Sequence, residues 1–335
     1  MIIENKNVLF QGIKDLLYNA RAYVIKTVNS AMVITYFEIG RLIIEHEQGG
    51  QEKALYGEET LKQLSIELTN EFGKGFSATN LKQMRTFYLT YGKGQTLSAK
   101  FTISWSHYVF LMRLEPNERN FYEIEAAQNN WSLRELKRQF DSALYDRLQL
   151  SRNKDEVKAL SEKGQVITTP QDAIKDPYIL EFLGLKEDKS YSESELEQAI
   201  IDKIEHFLLE LGKGFSFVGR QQRFTFGEEH FFVDLVFYNR LLRCFVIIDL
   251  KLGKLKHQDL GQIQMYVNYY DRYVKTEDEN PTIGIVLCKD KENSLVEITL
   301  PKDNQQIFAS AYQTYLPTKE EWTAQLVDIE TSLDE

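Results

Sequence analysis

The sequence predicts an α+β protein in two parts: an all-helical N-terminal domain and a mixed α/β core of order α-β-β-β-α-β. Three observations carry this. Apolar residues recur at helical spacing through the first half, with no proline before Pro116. Beyond about residue 215 the pattern changes to short β-branched and aromatic runs set between turn residues. A helical pattern then separates the last two of those runs, which permits them to be parallel neighbours joined by a crossover. The expected limits are 1–150 for the helical domain, 151–175 for a connector, 176–317 for the core and 318–335 for an acidic tail.

In the first part, Leu16, Leu17, Ala20, Val24 and Val28 form one apolar face, continued by the run from Val33 to Ile44. Ser77 in GFSATNLKQMRTFY is placed to cap a helix whose one side carries Leu81, Met84 and Tyr88. Ser132 with Glu135, and Ser192 with Glu195, have the spacing of capping boxes. The phrase GKGFS occurs at Gly73–Ser77 and again at Gly212–Ser216. It lacks phosphate-loop spacing, and its glycines read as helix stops at positive φ.

The second part opens with DPYILEFLGL. Glu193 to Leu211 reads as a helix with Ile200, Ile201, Ile204, Phe207, Leu208 and Leu211 on one face. Phe217–Phe226 and His230–Tyr238 read as strands about a Gly227-Glu228-Glu229 turn. Leu242–Leu252 is a third strand, Gln258–Tyr273 a helix and Pro281–Cys288 a fourth strand.

Composition narrows the class. The 335 residues are 43% hydrophobic and 12% aromatic, which makes a globular chain. No apolar run approaches the ~20 residues of a membrane span. The start, MIIENKNVLF, has no basic region before an apolar one and does not read as a secretory signal. Cys244 and Cys288 lie inside apolar runs, as core thiols of a reducing cytoplasm do. The net charge is −10, which weighs against a polyanionic ligand, but it is unevenly spread. From Lys213 to Lys256 there are eight basic and four acidic residues, whereas from Asp271 onward there are six and fourteen. A local basic patch can still serve a nucleic acid.

The chemistry concentrates in VIIDLKLGKLKH and HFFVDLVFYN. Strand periodicity puts Phe245, Ile247, Asp249 and Lys251 on one face. If the two strands form a hairpin with a loop of two or four residues, Asp234 falls opposite Ile247 or Asp249 and joins that face; an odd loop would send it to the other. Two neighbouring carboxylates in an apolar setting repel, and a hard cation such as Mg²⁺ resolves the conflict. A lysine beside them supplies charge where a phosphodiester transition state turns negative. With a depressed pKa it could also help deprotonate water. Together these are the parts of a phosphodiesterase.

Asp234 followed by Asp249-Leu-Lys251 within that element order resembles the PD-(D/E)XK nuclease superfamily. LELGKGFSFVGRQQRF, DLVFYNRLLRC, DLKLGKLK, GQIQMYVNYYD and NPTIGIVLCK resemble its YhcG-like family. GFSATNLKQMRTFY, SWSHY and WSLRELKRQF resemble the helical domain that this family carries ahead of the nuclease-like one. The resemblance spans roughly Ala31 to Leu300. It implies a restriction-endonuclease-like core, with Asp234, Asp249, Lys251 and Gln262 catalytic and Asp234, Asp249 and Glu197 as metal ligands. Glu205 is the rival of Glu197. Tyr266, four residues after Gln262, and the alternating Arg220 and Arg223 are candidate phosphate contacts. Mg²⁺ is the implied cofactor, with Mn²⁺ as a substitute.

The implied activity is a metal-dependent endonuclease on DNA, with no membrane partner and with a homodimer as one way to cut both strands. Two alternatives stand beside it: an inactive nuclease fold that binds nucleic acid or assembles a complex, and an RNA-directed nuclease. The chain departs from the family in carrying Asp249 where Glu is commoner. In the helical domain, Lys82, Arg85, Arg134, Lys137 and Arg138 suit a helix-turn-helix contact with nucleic acid; solvated partners of Glu135 and Asp141 would give the same pattern.

Overall fold

The computed structural model describes residues 2–49, 54–92, 101–150, 154–185, 191–317 and 321. The acidic tail expected over 318–335 lies outside the described residues, apart from 321. Contacts divide the chain into two compact units, Met1–Leu136 and Lys137–Glu335.

The first unit is helical: α1 (Ile2–Gly49), α2 (Ala54–Phe72), α3 (Ala78–Tyr91), α4 (Trp105–Leu111) and α5 (Pro116–Asn129). Ser77 caps α3 by accepting from the Asn80 N–H, as its position suggests. Gly73 and Gly75 take φ of +84° and +134° where α2 stops, so the first GKGFS is a helix terminator. Phe37, Phe101, Trp105 and Tyr108 pack edge-to-face or tilted against Phe87, and Leu81, Met84 and Leu111 are buried in the same unit. α1 meets α3 at Gly40, where an added Cβ would run into the Met84 carbonyl. Helix α6 (Leu133–Asp141) starts in this unit, with the reciprocal Ser132–Glu135 hydrogen bonds of a capping box.

The second unit continues with α7 (Leu144–Leu150), α8 (Lys154–Lys163), the single turn α9 (Pro170–Ala173), β1 (Tyr178–Ile179), α10 (Glu193–Asp202) and α11 (Ile204–Leu211). Then come β2 (Phe215–Phe226), β3 (Glu229–Asn239), β4 (Cys244–Lys254), α12 (His257–Tyr273), β5 (Ile283–Asp290), α13 (Asn293–Thr299) and β6 (Ile307–Gln313). One six-stranded sheet runs β1-β6-β5-β4-β3-β2. β2, β3 and β4 are antiparallel neighbours, while β4, β5 and β6 are parallel, with α12 joining β4 to β5. The core is therefore the mixed sheet expected, extended by two strands, β1 and β6, that sequence patterning missed. The expected helix over 193–211 is broken at Lys203 into α10 and α11.

Alternation along the strands builds two apolar layers. Leu235, Phe237, Val246, Ile248, Ile285 and Leu287 face Leu196, Ile200, Phe207 and Leu211 of α10 and α11. Val236, Ile247, Val286 and Cys288 face Leu260, Ile263, Tyr266, Val267 and Tyr270 of α12. Cys244 and Cys288 are buried, free thiols. Among the described residues, no helix is long and apolar enough to cross a membrane.

Arg138 corrects one sequence reading. Its partners are Glu181 and Glu210, not Glu135 or Asp141. Its guanidinium is engaged by Glu181 at 3.0 Å and Glu210 at 3.0 Å. Glu210 is fully buried and also takes Arg147 at 2.6 Å and the Ile179 N–H at 2.9 Å. Arg85 is likewise paired, with Glu47 at 2.8 Å.

Candidate active site

The loop joining β3 to β4 is four residues, between the paired Asn239 and Cys244. Its even length puts Asp234 and Asp249 in the same register, one step beyond the last antiparallel pair, Leu235–Ile248. There β3 and β4 part, while β4 stays paired with β5 through Lys251–Cys288 and, after a register shift, to Lys254–Asp290. The N–H of Leu250 thus has no carbonyl of β3 to meet. It donates instead to Asp234 Oδ2 at 2.9 Å.

Asp249 is 1% exposed. Burial pushes its carboxyl up to about 7, against the opposing pull of the Lys251 charge. The Lys251 Nζ lies 2.8 Å from Oδ2, near enough for an ion pair. Oδ2 nevertheless has no aligned hydrogen-bond donor. Glu193, at the start of α10, stands 4.0 Å from the same ammonium. Burial alone would lower Lys251, but the Asp249 charge raises it above the ordinary lysine value in the metal-free protein.

Glu197 adds a carboxylate on the Asp234 side, buried on α10 and raised by burial. Gln221 on β2 joins it to Asp234: the amide Nε2 donates to Glu197 Oε2 and to Asp234 Oδ1, the latter at 3.2 Å. Glu205, the rival, is exposed on α11 and is not part of this cluster. Gln262 donates to the Tyr266 hydroxyl at 2.6 Å, and Tyr266 is buried within electrostatic reach of Asp249, Asp234 and Lys251. Arg220 sits at the rim, hydrogen-bonded to Gln198 at 2.6 Å and 4.0 Å from Glu197. Arg223 is not brought to the carboxylates; it turns to the His230 ring near the hairpin tip.

Glu193 and Gln221 went unnoticed in the sequence. For Glu193 the available signal was its place in the first turn of a capped helix. For Gln221 it was the turn between β2 and β3. The expected three-residue turn sets Gln222 opposite Asp234, whereas the observed turn is two residues, Gly227-Glu228, with Gly227 at φ +64° and Phe226 paired with Glu229. That one-residue difference brings Gln221 to Asp234.

Among the described residues, no three His, Cys, Asp or Glu side chains are gathered to enclose a metal ion. The pair Asp234 and Asp249 still fits a hard cation that takes one or two carboxylates and leaves its other positions to water and phosphate oxygens. Asp249 contributes a carboxyl whose charge burial disfavours even with the Lys251 ammonium at 2.8 Å, and a bound cation would meet that deficit.

Residues 171–327 match the family model described as the YhcG PDDEXK nuclease domain, and residues 12–147 match the DUF1016 N-terminal domain. The chain is 39% identical to "Putative nuclease YhcG" of Escherichia coli (strain K12), an alignment covering 98% of this chain and 95% of that protein. Among solved structures it is similar to a repair endonuclease from Pyrococcus abyssi, at 16% identity and a TM-score of 0.27 over 39% of this chain and 50% of that one. A complex of EndoMS with double-stranded DNA gives 15% and 0.27 over 40% and 51%. Likeness that slight carries no weight beside the family match. The chain belongs to the YhcG family, in which a DUF1016 helical domain precedes a nuclease domain of PD-(D/E)XK type.

Proposed function

We propose that this protein is a Mg²⁺-dependent endonuclease that hydrolyses DNA phosphodiester bonds in a reducing cytoplasm. The observation that carries the reading is the buried Asp249 carboxyl, set in register with Asp234 and 2.8 Å from the Lys251 ammonium. Asp234 and Asp249 would hold the cation, with Glu197 as the adjoining carboxylate. When bound, the cation acidifies a water and polarises a phosphoryl oxygen. Lys251, whose pKa is raised, would present positive charge to the phosphate as water oxygen adds to phosphorus and the bond to the leaving oxygen breaks. Gln262 fixes the Tyr266 hydroxyl beside these groups, and the half-exposed Arg220 at the rim would exchange its Gln198 contact for a backbone phosphate.

The test is cleavage of supercoiled plasmid and branched DNA with Mg²⁺ or Mn²⁺, with and without chelator, comparing the native chain with Lys251→Ala and Asp234→Ala. Cutting that needs the metal and is lost in both variants, by about 100-fold or more, is the expected result. Cutting that survives both substitutions refutes the assignment. A second reading, a nuclease fold that binds without cutting, has in its favour the shorter Asp249 and the lack, among the described residues, of a three-ligand group. Binding indifferent to Mg²⁺ and to Lys251→Ala, with no cleavage, would select it. Competition between DNA and RNA decides the sugar.

A further inference from the structure

We propose that Gln221 is a positioning residue whose side-chain amide clamps Glu197 of α10 against Asp234 of β3, so that both carboxylates are presented together to the cation site. The inference rests on the active-site reading above and goes beyond it to a residue from a third element.

Three observations support it. First, one amide nitrogen donates to both carboxylates, spending its two hydrogens on two acidic groups that would otherwise repel each other. Second, Gln221 lies across from Asp234, between the paired Arg220–Leu235 and Gln222–Val233. Third, its φ is +47°. Among the described non-glycine residues with positive φ, Asn130 follows α5, Ala143 separates α6 from α7 and Arg243 is in a hairpin loop; Gln221 alone is inside a strand. Left-handed backbone is strained for such a residue and persists where surrounding contacts over-determine it. Glycine or asparagine would take that backbone more readily. Neither has the reach to span both carboxylates, and reach is what glutamine supplies here.

The experiment follows Mn²⁺ binding to the full chain through loss of the free-ion electron paramagnetic resonance signal, with no substrate present. The variants are Gln221→Asn, Glu197→Gln, their combination, and Asp249→Asn, each also unfolded in urea without metal. Gln221→Asn keeps an amide and suits positive φ but is one methylene short. It should weaken Mn²⁺ binding roughly 10-fold or more, in line with lost outer-shell support, while the metal-free stability is no lower than that of the native chain. Adding it to Glu197→Gln should cost less than the two separate effects combined, because both act through one contact.

Native-like Mn²⁺ affinity in Gln221→Asn, with binding abolished by Asp249→Asn, overturns the proposal and leaves the active-site reading intact. Affinity lost only in step with metal-free stability assigns Gln221 a structural role and also overturns it. Native-like binding in Asp249→Asn, or no binding by the native chain, removes the site itself and the proposal with it.

Discussion

Asp249 and Glu210 are both buried carboxylates of the second unit, and burial disfavours the charge on each. For Glu210 the nearby Arg147, Lys175 and Arg138 outweigh it and carry the carboxyl down to about 2. For Asp249 the single Lys251 does not, and the carboxyl stays up at about 7. A group whose folded form holds its proton more tightly than the unfolded form loses stability as pH rises between the two pKa values. In metal-free protein, the stability of Asp249→Asn relative to the native chain should therefore grow from pH 4 to pH 8, by on the order of 2–4 kcal/mol in urea titrations. A flat difference would mean that Asp249 is already charged at low pH. Asp249 and Lys251 share a face by strand parity, whereas Asp234 joins them only across an even loop, so the sequence showed that grouping conditionally and the family resemblance supplied the rest. Gln221 was not legible, since its role depends on a turn length and a backbone angle that VGRQQRF does not display.

Glu210 acts at the scale of elements: it stands on α11 and binds Arg138 of α6, Arg147 of α7 and the Ile179 N–H of β1. Glu210→Gln leaves two arginines facing a neutral amide and should cost about 3–5 kcal/mol at neutral pH. Its carboxyl is depressed, so that contribution is complete above the ordinary glutamate range near 4.5 and is lost as pH falls toward 2. The gap between variant and native chain should close over that window, as urea unfolding at pH 7 and pH 3 would show. Gly284 of β5 makes a second test: a Cβ there would meet Ile263 Cγ1 at 2.7 Å and Val267 Cγ2 at 2.8 Å of α12. Gly284→Ala should lower stability by about 1–3 kcal/mol through forced repacking of α12, read by thermal unfolding. Helices with caps and amphipathic faces were legible in the sequence. The two-residue β1 was not, because its pairing with β6 joins segments far apart in the chain and leaves no local period.

For the whole molecule, the net charge of −10 means that a nucleic acid must be met by a local surface. Of the eight basic residues from Lys213 to Lys256, Lys251, Lys254, Arg243 and, more loosely, Arg220 already face Asp249, Glu292, Asp278 and Glu197. Few cations remain to release counterions, so the logarithm of DNA affinity should fall against the logarithm of salt with a slope of at most about five. Arg220→Ala should reduce that slope by about one, measured by fluorescence anisotropy in chelator. A much steeper slope would place the contact surface elsewhere. Overall charge was legible in the sequence; its local cancellation became visible only through pairs such as Lys254 with Glu292, distant in sequence and 2.8 Å apart in space.

Because a side chain, and not a carbonyl of β3, receives the Leu250 N–H, that one backbone proton is bound to the fate of Asp234. Anything that draws the Asp234 carboxylate aside releases it, while amides within the regular ladders keep their partners. In a hydrogen–deuterium exchange record, Leu250 would be a lone fast amide amid slow neighbours. The chain thus carries its own reporter of site occupancy, one that can be read before any bond is cut.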